Sequence, residues 1–229
     1  VDPISLAMDK HPARALNDAA ERFAKEQKLT HYFPANETIM HTAPYENLFR
    51  PGELILGADS HTSSHGGLGA LAIGLGATDV MAAAVTGESW IQVPEAVRFA
   101  FAGKLPFGLT GKDVILKILA THRRNTVALN RSVEYVGDLG SFSADFRFTV
   151  ANMTAEFGGL AGIFVPDHVI VSHLNRRNGR YADFARNGAY FAPDEGADYA
   201  ASLRLDLDKL LPQVAVPFSP DNAFDITDP

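Results

Sequence analysis

The strongest constraint on the fold is a segment in which a short apolar run leads directly into polar and glycine-rich sequence. The run at 53–58, ELILGA, follows the turn signal Pro51-Gly52 and predicts a buried strand. The tetrapeptide DSHT (59–62) comes next, and glycines then occupy positions 66, 67, 69, 74 and 76. Because glycine permits close approach between backbone segments, we expect a tight, compact connection after this strand.

Predicted helices and strands alternate along the chain. Helical periodicity or capping signals occur at 12–29, 77–86, from 110 onward and at 145–157, and strand patterns occur at 97–101, 133–135, 162–165 and 203–207. Strands alternating with helices of this length indicate an α/β architecture. Residues 175–200 are polar and are expected to be irregular, and the tail from Pro212, which holds four prolines, predicts an interdomain linker.

Composition excludes several functions. The net charge is −7, and the basic pairs Arg123-Arg124 and Arg176-Arg177 are too short to track a phosphate backbone, so no nucleic-acid partner is expected. The apolar stretches fall short of the roughly 20 residues of a membrane span, so no membrane partner is expected. The chain has no cysteine, which excludes an iron–sulfur cluster ligated by its own residues. It opens at Val1 rather than methionine, so the natural start is expected upstream.

The DSHT tetrapeptide is the first candidate for chemistry. Asp59 can orient His61 and raise its basicity, while the hydroxyls of Ser60 and Thr62 can bind a substrate carboxylate. Ligands in open α/β sheets bind at the ends of strands, which is where this tetrapeptide lies. The alternative is structural, because these residue types are also common in turns and helix caps.

Other polar residues are weaker candidates. Asn152 and Glu156 are four apart on a predicted helix and so share a face, but a solvated helix face is the alternative. His41, His65 and His168, taken singly, are expected at the surface. The run GLGALA (67–72) fits a relaxed dinucleotide-binding pattern, but polar loop separates it from the strand and no acidic residue closes a second strand about 20 positions later.

Four segments together resemble the aconitase superfamily, in order and in spacing. They are LILGADSHTSSHGGLGALAIGLG (54–76), GKLPFGLTGKDVIL (103–116), TVANMTAEFG (149–158) and PFSPDN (217–222). DSHTSSHG is similar to the isopropylmalate isomerase (3-isopropylmalate dehydratase large subunit) and homoaconitase branch, and ALNRSVEY (128–135) looks most like homoaconitase. The glycine-rich GGTG that aconitases and isopropylmalate isomerases carry near residue 126 is absent here.

The resemblance implies aconitase-like three-layer α/β/α domains with mixed sheets. Residues 1–95 would belong to a first domain, 96–210 to a second, and 211–229 to a linker towards an absent cluster-binding domain. The implied activity is that of an iron–sulfur hydro-lyase of amino-acid biosynthesis, which isomerises a hydroxy di- or tricarboxylic acid by dehydration and rehydration. A [4Fe–4S] cluster in the full-length enzyme would act as Lewis acid on the leaving hydroxyl, and this chain alone is expected to be inactive.

The resemblance also assigns roles to individual residues. His61, paired with Asp59, would help to protonate the departing hydroxyl. Catalytic roles fall on Asp59, His61, His41 and Glu156 and on Asp9 or His11, and substrate contacts fall on Ser60, Thr62 and Asn152. The family has an Asp-His dipeptide near the start, whereas Lys10 separates the two residues here, so only one of them is expected to keep its role.

Partners follow from the same resemblance. We expect a small polycarboxylate substrate, a cluster-binding domain and a small swivelling domain or subunit, in the cytoplasm or in the mitochondrial matrix of a eukaryote. An exposed apolar patch is expected where the cluster domain docks. The alternatives are a subunit of a split enzyme, a cluster-free binding or scaffold protein, and a metal hydrolase built on His41, Asp59, His61 and His65.

Overall fold

The computed structural model describes residues 12–35, 37–178 and 192–228. Asp9 and His11 therefore lie outside the described residues. The chain divides into two compact units, Val1–Leu48 and Phe49–Pro229. The predicted division near residue 95 stays a prediction.

The first unit contains two helices, α1 (Pro12–Glu26) and α2 (Thr42–Asn47). α1 begins where the sequence predicts and ends before the predicted Leu29, because Lys28 adopts a left-handed conformation with φ of 53°. On its predicted apolar face Ala24 is buried, whereas Leu16 and Phe23 are exposed.

The second unit begins with a small parallel sheet. Strands β1 (Leu54–Gly57) and β2 (Leu71–Gly74) pair with Leu54 opposite Leu71 and Gly57 opposite Gly74. Parallel neighbours need a crossover connection, and here it is a 3₁₀ helix, Ser60–Leu68. Helix α3 (Ala77–Thr86) follows β2 and ends, as predicted, at Gly87, whose φ of 74° caps the helix.

The larger sheet of the second unit has four strands, all parallel. They are β3 (Ala96–Ala102), β4 (Ser132–Gly137), β5 (Ala161–Phe164) and β6 (Ala201–Asp206), in the order β5-β4-β3-β6, so β6 is an edge strand. Helix α4 (Gly111–His122) connects β3 to β4, α5 (Ala144–Asn152) connects β4 to β5, and α6 (His168–Asn178) follows β5.

Aromatic side chains of neighbouring strands form the centre of the core. The rings of Phe101 and Tyr135 stack with centroids 5.8 Å apart, and those of Tyr135 and Phe164 with centroids 4.9 Å apart. Burial raises the pKa of Tyr135, and its hydroxyl shares a 2.9 Å hydrogen bond with the hydroxyl of Thr154. The alternating apolar residues of the strands thus face the helices, as their period of two predicts.

Arg147 of α5 is a fully buried cation. Its guanidinium donates to the backbone oxygens of Leu139 (2.7 Å) and Phe142 (3.1 Å) and pairs with Asp167 at 2.7 Å. The other oxygen of Asp167 accepts from the amide of Val169 at 2.9 Å and so caps α6. This one side chain therefore ties α5, the loop before it and the start of α6 together.

The C-terminal residues form a hairpin where their prolines predicted a linker. Strands β7 (Gln213–Ala215) and β8 (Ala223–Asp225) are antiparallel. Lys117 of α4 donates to Asp225 at 2.7 Å, and the amide of Gln213 donates to Asp113 at 3.1 Å. Asp113 also completes the predicted capping box with Thr110 at the start of α4. That a further domain follows this hairpin stays a prediction.

The α/β prediction is confirmed, and each sheet is wholly parallel or wholly antiparallel. The helix predicted at 145–157 ends at Asn152, and turns occupy 153–158. Strand β2 is too short and too closely flanked by glycine to stand out in the sequence, and part of α6 lies in the region expected to be irregular. Among the described residues, the helices are too short or too polar to cross a membrane.

Candidate active site

The 3₁₀ helix Ser60–Leu68 carries most of the DSHT tetrapeptide and is fixed from two sides by glycine contacts. A Cβ at Gly66 would lie 1.8 Å from the carbonyl oxygen of Gly162 in β5, and a Cβ at Gly67 would lie 2.8 Å from the amide nitrogen of Phe148 in α5. The backbone there cannot accommodate a larger residue without moving. A 3₁₀ helix usually stops after three or four residues, and this one runs for nine because its neighbours hold it.

Asp59 caps this helix and lies beside the imidazole of His61. Its Oδ1 accepts from the amide of His61 at 2.7 Å and lies 3.5 Å from His61 Nδ1. The hydroxyl of Ser60 lies 3.3 Å from the same ring nitrogen. The side chains of Asp59 and His61 are 38% and 35% exposed, so the imidazole is oriented by its neighbours and still accessible.

Glu156 reaches the opposite side of the imidazole. Its Oε1 lies 3.5 Å from His61 Nε2, so His61 has a carboxylate near each ring nitrogen. Glu156 comes from the turns after α5, which corrects the prediction that it shares a helix face with Asn152. The helix stops at Asn152 because the chain turns towards β5 through Gly158, whose φ is 92°.

Arg124 adds a cation that the sequence did not identify as part of a site. Its Nη2 lies 4.0 Å from Glu156 Oε2, and its Nη1 donates to the hydroxyl of Ser219 at 3.3 Å. Three loops meet at this guanidinium: the one after α4, the one after α5 and the one between β7 and β8. Local sequence patterns carry no signal for such a contact, since residues 124, 156 and 219 are far apart in the chain.

The predicted substrate-binding residues differ in accessibility. Ser60 is exposed, whereas Thr62 is buried and donates to the backbone oxygen of Asp59 at 2.7 Å. This burial counts against the predicted contact of Thr62 with substrate. Asn152 donates to the buried hydroxyl of Ser64 at 2.8 Å, which joins the end of α5 to the 3₁₀ helix.

The remaining candidate histidines lie elsewhere. His41 precedes α2 in the first unit, so its participation in the site stays a prediction. His65, expected at the surface, is buried, and its ring centroid lies 4.6 Å from that of Phe49 in an edge-to-face arrangement. The other residues of the 3₁₀ helix from Thr62 to Leu68 are buried as well, so this whole segment is enclosed by its neighbours. His168 is exposed, as predicted.

The cluster of Asp59, His61 and Glu156 is suited to proton transfer. A positioned imidazole between two carboxylates can take or give a proton, while the carboxylates hold its orientation. In the described part of the chain, groups of three or more His, Cys, Asp or Glu residues that could hold a metal ion are absent.

A separate cleft of 760 Å³ lies near the amino-terminal ends of β3 and β4. It is lined by Trp90, Val93, Glu95 and Arg131 among others, and the side chains of Glu95 and Arg131 pair across it at 2.8 Å. Trp90 and Val93 are 86% and 88% exposed. The lining lacks an oriented histidine and resembles an uncovered surface more than a catalytic site.

Comparisons with known proteins agree with the motifs. The sequence model described as "Aconitase family (aconitate hydratase)" matches residues 3–229. The 3-isopropylmalate dehydratase large subunit gloJ of Glarea lozoyensis is 45% identical over 215 residues, which are 93% of this chain and 24% of that protein. Aconitase htyD of Aspergillus rugulosus is 43% identical over 215 residues, with the same coverage of 93% and 24%.

A bacterial relative is also similar. The 3-isopropylmalate dehydratase large subunit of Syntrophus aciditrophicus is 39% identical over 225 residues, which are 95% of this chain and 52% of that protein. The chain thus spans about a quarter of the length of the two fungal relatives and about half of the bacterial one.

Proposed function

This chain belongs to the aconitase family, and we propose that it forms part of a hydro-lyase that isomerises a hydroxy di- or tricarboxylic acid by dehydration and rehydration. The 3-isopropylmalate type is the first candidate, because two of the relatives described above carry that name. Homoaconitate is the second, on the resemblance of residues 128–135.

The Asp59–His61–Glu156 cluster is the observation that carries this proposal. Departure of a hydroxyl needs a proton, and the partly exposed imidazole of His61 has its Nε2 3.5 Å from Glu156 Oε1. Asp59 and Ser60 lie at the other ring nitrogen and hold the imidazole in place. In the proposed dehydration a base on another part of the complete enzyme takes the proton of the neighbouring carbon, the electrons of that C–H bond form the double bond, and His61 gives its proton to the leaving hydroxyl. In rehydration His61 takes a proton from the incoming water, and the base returns its proton to carbon.

The exposed hydroxyl of Ser60 is proposed to bind a substrate carboxylate. Asn152 is proposed to contribute at the edge of the site, where its amide already donates to Ser64. His41 and one of Asp9 and His11 are proposed to complete the acid–base groups in the assembled enzyme.

The family implies a [4Fe–4S] cluster, but the donor set of this chain does not fit one. Protein ligands to such clusters are cysteine thiolates, and the chain has no cysteine. The steps proposed for His61, Asp59 and Glu156 are therefore confined to proton transfer and orientation. We propose that the cluster is held by another domain or subunit of the complete enzyme.

Exposed apolar residues support the presence of such a further part. Helix α3 has no buried residue, although most of its side chains are apolar, and Met81 and Val85 are 61% and 81% exposed. Trp90 and Val93 extend this surface. Uncovered apolar surfaces of this kind are typical of protein interfaces. In the proposed arrangement residues 1–95 and 96–210 belong to two domains and 211–229 lead to a third.

A small swivelling domain or subunit is the other proposed partner, since relatives are named as large subunits. The proposed location is the cytoplasm, or the mitochondrial matrix if the source is eukaryotic.

The test begins with the coding sequence on both sides of this segment. We expect the frame to continue into a cysteine-bearing region, or a separate gene to encode one. The complete protein, with any such subunit, is then reconstituted anaerobically and supplied with 3-isopropylmalate or homoaconitate, and the unsaturated acid is followed by its ultraviolet absorbance. Failure of the reconstituted wild-type protein to form it from either acid would refute the hydro-lyase and favour a cluster-free binding protein.

A matched pair of variants isolates the acid–base step. His61→Gln is expected to lower kcat about a hundredfold or more, because it removes the proton donor. His168→Gln changes an exposed histidine of α6 and is expected to leave kcat within about twofold of the wild type. Equal activity of the two variants would contradict the role of His61.

A further inference from the structure

We propose that Arg124 binds a carboxylate group of the ligand at the Asp59–His61–Glu156 cluster, an inference that rests on the proposed function and names a specificity-determining residue of the same site. The side chain of Arg124 is 44% exposed, and its Nη2 lies 4.0 Å from Glu156 Oε2. That distance is too long for a direct hydrogen bond, so Glu156 does not use up the donors of Arg124.

The charge of the cluster requires such a residue. Asp59 and Glu156 place two carboxylates around His61, and the chain as a whole has a net charge of −7. A di- or tricarboxylate approaching this site is repelled by both carboxylates unless a cation lies beside them. Arginine suits this position because its charge is permanent and its planar fork matches the two oxygens of a carboxylate.

The backbone around Arg124 is held in an unusual conformation. Arg123 and Asn125, on either side, have φ of 60° and 54°. Asparagine tolerates this left-handed region, but for arginine it is unfavourable, so surrounding contacts must maintain it. The loop after α4 therefore holds residue 124 in a conformation that depends on its surroundings, unlike a relaxed surface turn.

Contacts from both neighbouring loops supply that support. Arg123 donates to the backbone oxygen of Asp221, and the amide of Arg124 donates to the Asp221 carboxylate at 3.4 Å. The hydroxyl of Ser219 and the amide of Arg124 help to lower the pKa of Asp221, which keeps that carboxylate charged. On the other side, a Cβ on Gly158 would lie 2.9 Å from the Asn125 side-chain oxygen. The loop is thus packed against the segment that carries Glu156, with the guanidinium of Arg124 at the cluster.

Binding of succinate, a simple dicarboxylate, tests this role without turnover. Succinate is titrated into the ¹⁵N-labelled chain, and side-chain NMR signals of the arginines report the dissociation constant. Arg124→Gln is expected to weaken binding about tenfold or more, and Arg124→Lys to restore part of the loss. Arg204→Gln is the matched control: it changes an exposed arginine of the edge strand β6 and is expected to change affinity by less than about twofold. Far-UV circular dichroism and thermal melting establish that each variant is folded.

The outcomes separate this inference from the proposed function. Unchanged affinity in Arg124→Gln, or equal weakening in Arg204→Gln, would overturn the carboxylate-binding role. In the reconstituted complete enzyme Arg124→Gln should raise KM for the hydroxy acid about tenfold, with a smaller effect on kcat. A loss confined to kcat would likewise overturn it. If succinate binding depends on Arg124 but the complete enzyme forms no unsaturated acid, the anion site stands and the hydro-lyase proposal fails.

Discussion

Replacing Arg147 with methionine tests whether the buried cation of α5 is essential to the fold. Methionine fills a similar length of the apolar site but removes the guanidinium, which is 0% exposed. The backbone oxygen of Phe142 loses its donor, and a buried oxygen left unpaired costs about 1–3 kcal/mol. The backbone oxygen of Leu139 loses one of its two donors and keeps the amide of Phe142 at 2.9 Å. Asp167 also loses its 2.7 Å partner. The packing of methionine offsets part of this, so we expect Arg147→Met to lower the free energy of unfolding by about 3–5 kcal/mol.

Urea unfolding measures this change in the free energy of unfolding. The unfolding is followed by far-UV circular dichroism rather than by tryptophan fluorescence, because Trp90 is 86% exposed and reports poorly on the core. A loss of that size is a large share of the roughly 5–15 kcal/mol that stabilises a typical domain. Arg204→Met, at an exposed position of the edge strand β6, is the control and should cost less than about 0.5 kcal/mol. The double variant Arg147→Met/Asp167→Asn should recover part of the loss, since no unpaired charge remains. A cost below about 1 kcal/mol for Arg147→Met would refute the reasoning.

Two further changes probe the site and the pH dependence of stability. Gly66→Ala should destabilise the protein by about 1–3 kcal/mol or more in urea unfolding, since the new Cβ would meet the Gly162 oxygen at 1.8 Å. The control Gly108→Ala has open space around the new Cβ, so it should show only the cost of an alanine at φ of 85°. Equal losses in the two variants would contradict the close contact at Gly66. Burial lowers the pKa of His122 from its ordinary 6.5. The folded state therefore favours the neutral form of His122. The contribution of this residue to the free energy of unfolding is complete above pH 6.5 and is lost as the pH falls through the pKa of His122 in the folded state. His122→Gln should flatten that fall, and an unchanged slope would exclude the histidine as its source.

Local signals in the sequence predicted much of the fold. Helix α3 has the predicted bounds because glycine marks its end, and α4 begins at its capping box because Thr110 and Asp113 satisfy the first amides of that helix. The helix predicted at 145–157 is too long, since helical periodicity continues past Asn152 while tertiary contacts turn the chain towards β5.

The sequence predicted those contacts of the site that join residues close to each other in the chain. Asp59 and His61 are neighbours, so their pairing follows from a short motif. The family resemblance assigned Glu156 a catalytic role but did not predict its approach to His61, and the helix face predicted for Glu156 and Asn152 is not present in the structure. Arg124 joins the site only through contacts between distant loops, which a single sequence does not encode in any local pattern. The prediction for His65 was wrong because complete burial was not anticipated for so polar a segment as 62–68.

The glycine contacts of the 3₁₀ helix restrict how this site can be re-engineered. The atoms that face Gly66 and Gly67 belong to the backbone, so no substitution in β5 or α5 can make room for a side chain there. The 3₁₀ helix that carries His61 is in this sense rigid, and variation in ligand preference has to come from the loops around it. Libraries aimed at a new substrate should therefore randomise 123–125 and 219–221, and should keep 59–67 unchanged.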